Sequence, residues 1–189
     1  MTNEVKESKL GLDKRIITLV FTHGVNHGTL LFFSTVLLVM AADMQIEYDK
    51  LGLLVTCAFI FFGVGQLPAG IASDIIGRKN SILLSLLVPT VGCILGGLFS
   101  SYVMMAIAFS LIGLGGSFYH PSSYAMIADV STEENRGKAF GWHGVGANIG
   151  QALTPILAGF VSAAFGWRAI HTSCLQVLPC RIHPCLARQ

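Results

Sequence analysis

Three polar residues near the start of the chain are spaced for joint chemistry. His23, Asn26 and His27 are three and four residues apart, which places their side chains on one face of a helix. Histidine is the side chain whose charge changes closest to neutral pH, so this face could relay protons or line a polar pathway. Later stretches supply further candidates for the same role, namely His120, Asn148 and Gln151.

The same histidines allow two other interpretations. His23 and His27 are one helical turn apart and could share a metal ion, with His120 or His143 as a third ligand. No Cys, Asp or Glu stands close to them in the sequence. The pattern therefore favours hydrogen bonds between helices over a metal centre, and we predict neither a metal nor a cofactor.

A different class of chemistry would use a serine. Ser117 or Ser122 could act as a nucleophile with His120 or His143 as its base, as in an intramembrane hydrolase. The sequence contains no nucleophile elbow and no third residue to orient the base. We therefore expect no enzymatic activity.

The elements that carry these residues are long apolar segments. Of the 189 residues, 53% are hydrophobic and 12% are charged, and the mean hydropathy is +0.67. A helix needs about 20 apolar residues to cross a bilayer. The bundle at 16–168 contains five such segments, flanked by a tail at 1–15 and a C-terminal segment at 169–189. The predicted spans are 16–42, 51–73, 80–99, 102–128 and 138–165.

The apolar segments are continuous and do not alternate with polar residues. This pattern favours helices over a β-barrel, because lipid offers no hydrogen bonds to an open backbone. The connections between the segments are short, so neighbouring spans pack together. We predict an all-α, polytopic helix bundle with five transmembrane helices, embedded in a lipid bilayer.

Lysine and arginine are distributed unevenly between the two ends of this bundle. Outside the C-terminal segment, eight lie in the N-terminal tail and in the loops after spans two and four, and two lie at the other end. Basic residues stay in the cytoplasm, so we predict a multi-pass protein of the cell membrane with a cytoplasmic N-terminus. The net charge of +2 follows from this topology and gives no indication of nucleic acid as a partner. The eight are Lys6, Lys9, Lys14, Arg15, Arg78, Lys79, Arg136 and Lys138, and the two are Lys50 and Arg168.

The connection between spans two and three concentrates charge in an otherwise apolar region. It reads GIASDIIGRKN, with Gly70, Asp74, Gly77, Arg78 and Lys79 at defined spacing. This spacing resembles the signature loop of the major facilitator superfamily, which reads G-x-L-A-D-basic-x-G-basic-basic. Alanine, serine and isoleucine replace the leucine, the alanine and the first basic residue of that motif.

The resemblance implies a role for this loop. In that family the aspartate, here Asp74, lies at the start of a helix and holds a cytoplasmic gate against the other half of the transporter. The amides at a helix N-terminus stabilise an anion, Gly70 would allow close approach of helices, and Gly77 would permit a tight turn. The family also pairs the arginine, here Arg78, with an acidic residue at the end of span four, here Asp129. Alternatively, these charges form a solvated turn that only sets the orientation.

A second pattern lies in the fifth span. Gly141, Gly150, Pro155 and Gly159 stand at positions of the antiporter motif of the superfamily, G-x8-G-x3-G-P-x2-G-G. Small residues, a threonine and an alanine, replace two further glycines. The motif implies a kinked helix with a smooth face that seals a site on one side. Ordinary packing of small residues between helices is the alternative explanation.

Within the superfamily, the histidines resemble one branch. His23, Asn26 and His27, together with FYHP in the fourth span, are similar to the fosmidomycin-resistance-like branch. Its members carry a histidine followed by Asn and Asp, and His27 occupies the aspartate position. If that acid is a proton site, His27 could take its role.

The two patterns imply a secondary active transporter of a small organic solute, with proton-coupled efflux as the expected mode. An uptake symporter is the alternative. The small-molecule substrate, the bilayer and the coupling proton are the expected partners. The family places its substrate site between two six-helix halves, so we expect a further partner, either the missing C-terminal half or another copy.

The C-terminal segment departs from the family pattern. After Ala169 the composition changes abruptly, with cysteines, prolines and histidines where an apolar sixth helix would begin. We expect a frameshift or premature stop after the fifth helix, which would make the chain an incomplete fragment. A half-size membrane protein that oligomerises is the alternative. Zinc ligands are also conceivable there, but their spacing fits no familiar finger: Cys174, Cys180, His183 and Cys185.

Overall fold

The structure, a computed structural model, describes residues 13–169 apart from the side chain of Phe33. Five of its helical segments are long and apolar enough to cross a membrane, which confirms the predicted all-α membrane fold. The predicted tail up to residue 12 and the C-terminal segment from residue 170 lie outside the described residues. The helices are α1 (Lys14–Met44), α2 (Tyr48–Ile76), α3 (Arg78–Leu98), α4 (Tyr102–Ser117), α5 (Tyr119–Val130) and α6 (Glu133–Phe165).

The region predicted as the fourth span consists of two helices. Helix α4 ends at Ser117, and α5 begins after Phe118. Pro121, in the first turn of α5, has no backbone N–H to donate to the Ser117 carbonyl. The Phe118 N–H instead donates to the Gly115 carbonyl at 3.1 Å, which closes α4 with a tighter turn. Helices α4 and α5 together still make one apolar membrane crossing.

Local signals set the helix ends. Asp13 caps α1, because its carboxylate accepts a hydrogen bond of 2.7 Å from the Arg15 backbone N–H. Burial opposes ionisation of the Asp13 carboxyl, but the hydrogen bonds and charge of Arg15 outweigh it and lower the pKa. Gly77 separates α2 from α3 at a φ of +87°. Glycine adopts this backbone conformation without strain, which confirms the predicted turn.

The helices pack in two groups that α5 joins. Helix α1 packs along α6, and α4 packs against both α2 and α3. Helix α5 contacts helices of both groups. Large apolar side chains such as Phe21, Leu67 and Phe160 are exposed on the outside, where lipid tails would cover them. Among the spanning segments α6 is the least buried, since most of the surface that faces away from α1 is open.

Candidate functional site

Four histidines from three helices meet inside the bundle. The ring centroid of His23, on α1, lies 4.8 Å from that of His27 and 5.1 Å from that of His120 on α5. The ring of His143, on α6, stacks on that of His23 at 3.8 Å. We call His23, His27 and His120 the histidine triad. The structure therefore brings together three residues that the sequence pattern proposes for the pathway.

The hydrogen bond of His23 determines which of its nitrogens is free. Its Nδ1 lies 2.7 Å from the backbone carbonyl oxygen of His143. A carbonyl only accepts, so Nδ1 carries the proton and donates it. The lone pair therefore lies on Nε2, which is buried and has no hydrogen-bond partner among the described residues.

Asn26 is the second polar group without a partner. Its side chain is 3% exposed, and within residues 13–169 neither its Oδ1 nor its Nδ2 is hydrogen-bonded. A buried polar group left unpaired costs about 1–3 kcal/mol. Such groups inside a membrane bundle normally face a cavity, a water or a bound solute.

Tyr119, in the FYHP stretch of the sequence, ties the histidine region to α1. Its hydroxyl donates to the Leu19 carbonyl, lies 3.0 Å from Thr22 Oγ1 and lies 3.3 Å from His143 Nε2. The side chain is completely buried. The sequence places this tyrosine beside His120, but it does not show that the hydroxyl reaches α1 and α6.

The two amides predicted on the fifth span differ in position. Gln151 Nε2 lies 3.5 Å from His27 Nδ1, so this side chain borders the histidine triad. Asn148 is exposed on α6 and does not join the histidines.

The ion pair implied for the charged loop is present. Arg78, at the start of α3, pairs with Asp129 in the last turn of α5. The guanidinium also donates to the Ala125 carbonyl at 3.1 Å. Both side chains are partly exposed, so the pair fastens one end of the bundle without being buried.

Asp74 does not lie where the resemblance places it. The residue is in the last turn of α2, which continues to Ile76, so the expectation of a helix N-terminus is wrong. The helix breaks only at Gly77, and the dipole of α2 therefore gives no stabilisation to the carboxylate. Asp74 is exposed and makes no ion pair with any described residue.

Two other loop residues have limited contacts. A Cβ on Gly70 would lie 3.6 Å from the Cβ of Pro121, which is an ordinary contact, so the expected close approach at Gly70 is wrong. Lys79 is half-buried and forms no ion pair within the described part of the chain. Among the charged residues of the loop, Arg78 is thus the one with an ion pair within the described residues.

The glycines of the antiporter-type pattern have unequal surroundings. A Cβ on Gly150 would collide with the backbone of Gly24 on α1. A Cβ on Gly141 or Gly159 would meet no atom within 4 Å. Gly150 therefore serves helix packing, whereas the other two lie on the open surface of α6.

A further close contact of the same kind escaped the sequence pattern. A Cβ on Gly146 would collide with the backbone of Val20, and one on Gly24 would lie 2.8 Å from the Gly146 carbonyl oxygen. We call the contact between α1 and α6 at Gly24, Gly146 and Gly150 the glycine seam. A hydrophobic groove of 520 Å³ runs beside it.

The serines considered as nucleophiles make structural hydrogen bonds instead. Ser122 Oγ lies 2.9 Å from Ser73 Oγ and 2.7 Å from Ser81 Oγ, so it joins α5 to α2 and α3. Ser117 Oγ donates to the Leu114 carbonyl at 2.6 Å. In the described region neither hydroxyl is hydrogen-bonded to a histidine, so the geometry gives the hydrolase alternative no nucleophile and base pair.

The opposite end of the bundle carries a second polar link. Asp43, near the end of α1, accepts hydrogen bonds from Trp167 Nε1 at 3.0 Å and from Arg168 at 2.5 Å. Arg168 also donates to Ser100 Oγ at 2.8 Å. These contacts tie the C-terminal ends of α1, α3 and α6 together.

Known proteins resemble this chain over most of its length. The family model described as Major Facilitator Superfamily matches residues 19–175. The "Probable 4-methylmuconolactone transporter" of Cupriavidus pinatubonensis is 32% identical over 126 residues, which are 67% of this chain and 29% of that protein.

Two proteins of Bacillus subtilis are similar as well. The uncharacterized MFS-type transporter YvkA is 29% identical over 144 residues, covering 72% of this chain and 32% of the relative. "Multidrug resistance protein 1" is 29% identical over 120 residues, which are 64% of this chain and 31% of that protein. The chain thus spans less than a third of the length of each of these three relatives.

Proposed function

Because this chain belongs to the major facilitator superfamily, we propose that it forms part of a secondary active transporter for a small organic solute. The proposed mode is efflux in exchange for protons. The observation that carries the proposal is the group of polar side chains enclosed by α1, α5 and α6, in which His23 Nε2 and the Asn26 amide are buried without a hydrogen-bond partner within residues 13–169. Polar groups at that depth are costly unless they face a pathway.

The proposed pathway consists of the polar residues that the sequence pattern singles out. The histidine triad and Asn26 supply its inner part, and Gln151 borders the triad. The exposed amide of Asn148 continues it along α6. The residues proposed to line the pathway or relay protons are His23, Asn26, His27, His120, Asn148 and Gln151.

The charged end of the bundle is proposed as a gate on the cytoplasmic side of the cell membrane. Support comes from the Arg78–Asp129 pair, which holds the loop against α5. The exposed carboxylate of Asp74 is free to contact another element. The basic residues of the tail and loops support this orientation. The gate residues are Gly70, Asp74, Gly77, Arg78, Lys79 and Asp129.

A second helical half is part of the proposal. The open surface of α6, with Gly141, Asn148 and Gly159, is suited to face such a half. The half comes from the remainder of a longer product or from another copy of this chain. The spacing of His23, Asn26 and His27 supports the fosmidomycin-resistance-like branch, and the named relatives suggest drugs or a lactone as solutes.

Accessibility to water tests the pathway without knowledge of the solute. Asn148→Cys and Phe160→Cys both place a thiol on the exposed surface of α6, in a background in which the native cysteines are serine. We expect a membrane-impermeant maleimide to label the cysteine at 148 and to leave the one at 160, which would face lipid, unlabelled. Equal protection of both positions would contradict the pathway.

Transport tests the gate and the coupling. The probes are ethidium and 4-methylmuconolactone, followed in cells that produce the full-length gene product. We expect Asp74→Asn to abolish export and Asp49→Asn, at the other end of α2, to leave it intact. Export by the Asp74→Asn variant at the normal rate would contradict the proposed gate.

Dissipation of the pH gradient with nigericin tests the coupling. It should stop export, and undiminished export would exclude proton exchange. A rise in cellular probe on expression would show uptake instead of efflux.

A further inference from the structure

We propose that the histidine triad is a binding site for a divalent transition-metal ion such as Zn²⁺. One ring nitrogen from each of His23, His27 and His120 lies within 4.8 Å of the other two. Imidazole nitrogens are common zinc ligands, and three of them leave a fourth position for water or another ligand. The inference adds a class of ligand to the proposed pathway, but metal binding itself does not depend on transport.

His23 has the arrangement of a metal-binding histidine. Such a residue donates its second ring N–H to a carbonyl or carboxylate, which fixes the ring and directs the other nitrogen at the ion. The Nδ1 of His23 makes this bond to the His143 carbonyl oxygen at 2.7 Å. Its Nε2 is left with a lone pair, is buried and has no partner among the described residues. A bound ion would satisfy it.

The other two ligands lie on different helices and keep freedom to adjust. His27 approaches Gln151, whose amide can present either its oxygen or its nitrogen to Nδ1. His120 packs against two aromatic rings, with its centroid 5.6 Å from those of Phe62 and Tyr124. Both side chains are half-buried, so an ion could reach them from the side of Gln151.

The separation of the nitrogens is close to what a tetrahedral ion requires. Zn–N bonds of about 2.0–2.1 Å place the ligand nitrogens about 3.3 Å apart. The widest pair of the triad, at 4.8 Å, must therefore shorten by roughly 1.5 Å. Small rotations of the His27 and His120 side chains within their rotamer wells can supply this movement.

The charge of the site indicates an exchangeable ion. Every ligand of the triad is a neutral imidazole, so the bound ion keeps its charge of +2 in an apolar bundle. Retaining that charge at this depth is costly. The site therefore suits an ion that enters and leaves the pathway, and it differs from structural zinc sites, which are closed by four ligands.

Metal binding can be measured on the purified full-length chain in lipid nanodiscs. The probes are Zn²⁺ by calorimetry and Co²⁺ by its visible absorption, which is intense only in tetrahedral coordination. The C-terminal segment contains other potential ligands, so all variants carry substitutions there: His171, Cys174, Cys180, His183 and Cys185, each to alanine. We expect one Zn²⁺ per chain and a tetrahedral Co²⁺ spectrum in this background.

Two variants and a control test the assignment. His27→Gln and His120→Gln should each weaken Zn²⁺ binding by more than about tenfold, since loss of an outer-shell partner alone costs that much. His143→Gln keeps the backbone carbonyl that orients His23 and should change affinity by much less. No binding in the background protein, or equal loss in the His143→Gln variant, would overturn the site.

Folding and transport are read separately from metal binding. Elution as a single species and unchanged helical circular dichroism identify variants that fold. His27→Asn serves as a second substitution if His27→Gln fails this check. Because binding is measured without a solute, absence of Zn²⁺ binding overturns the metal site and leaves the transport proposal standing. Failure of the accessibility and export tests would overturn the transport proposal and leave the metal site standing.

Discussion

Two helix contacts in this bundle use opposite means of attachment. At the glycine seam, α1 and α6 approach so closely that a Cβ on Gly146 or Gly150 would collide with the backbone of α1. At the junction of α2, α3 and α5, the hydroxyl of Ser122 lies within hydrogen-bonding distance of the hydroxyls of Ser73 and Ser81. The hydroxyls of the junction are hydrogen-bonded, whereas His23 Nε2 and the side-chain amide of Asn26, beside the seam, have no hydrogen-bond partner within residues 13–169.

The presence or absence of a hydrogen-bond partner distinguishes polar groups that hold helices together from polar groups that are available for function. Satisfied hydrogen bonds between helices stabilise the bundle. A buried polar group without a partner destabilises the bundle. Close packing at the glycine seam must therefore supply the stability of the region that contains His23 Nε2 and Asn26. The region of α1 and α6 is therefore where the proposed pathway lies, and the serine junction is where the fold is fastened.

The largest effect is expected at the seam. Gly150→Ala places a methyl group against the Gly24 backbone and should destabilise the bundle by about 1–3 kcal/mol, as overpacking does. Gly141→Ala, at an open position of the same helix, should be neutral or stabilise by up to about 1 kcal/mol. Thermal unfolding in detergent measures both. Equal stability of the two variants would contradict the seam.

A smaller effect is expected at the serine junction. Ser122→Ala removes the hydroxyl shared by α2, α3 and α5 and should cost about 1 kcal/mol, because Ser73 and Ser81 lose a partner. Ser110→Ala is the matched control, since that hydroxyl donates only to the Ala106 carbonyl of its own helix. If the two variants unfold at the same temperature, the junction does not fasten the helices.

The smallest effect is expected for the ion pair at the charged end. Arg78 and Asp129 are partly exposed, and exposed pairs contribute about 0.2–1 kcal/mol. A double-mutant cycle with Arg78→Gln and Asp129→Asn should give a coupling energy in this range that falls with salt. A coupling as large as the effect at the seam would show that this end fastens the bundle as strongly as packing does.

Some features of the fold and site could be predicted from local patterns. Continuous apolar runs predict helices in a membrane wherever they occur, so five spans were recognisable. The turn at Gly77 was recognisable because glycine beside basic residues ends an apolar run, and its φ is +87°. The pair of Arg78 and Asp129 is 51 residues apart in the sequence, and only the resemblance to a family could suggest it.

Other features had no local signal. Gly24 and Gly146 look like ordinary small residues, and their backbone contacts depend on how α1 and α6 cross. Tyr119 stands in the FYHP stretch, but the sequence does not show that its hydroxyl reaches the Leu19 carbonyl on α1. The position of Asp74 also escaped prediction, because the motif gives its spacing from Gly77 but does not show that α2 continues past it.

The sequence by itself determined the class of this protein, a membrane bundle with a charged loop at one end and histidines within its spans. Hydropathy and charge are properties of consecutive residues, and a bilayer acts on them before any helix meets another. The tertiary structure decided which polar groups are satisfied. Whether His23 Nε2 is free or Ser122 Oγ is bonded depends on residues from other helices, which only packing brings within hydrogen-bonding distance.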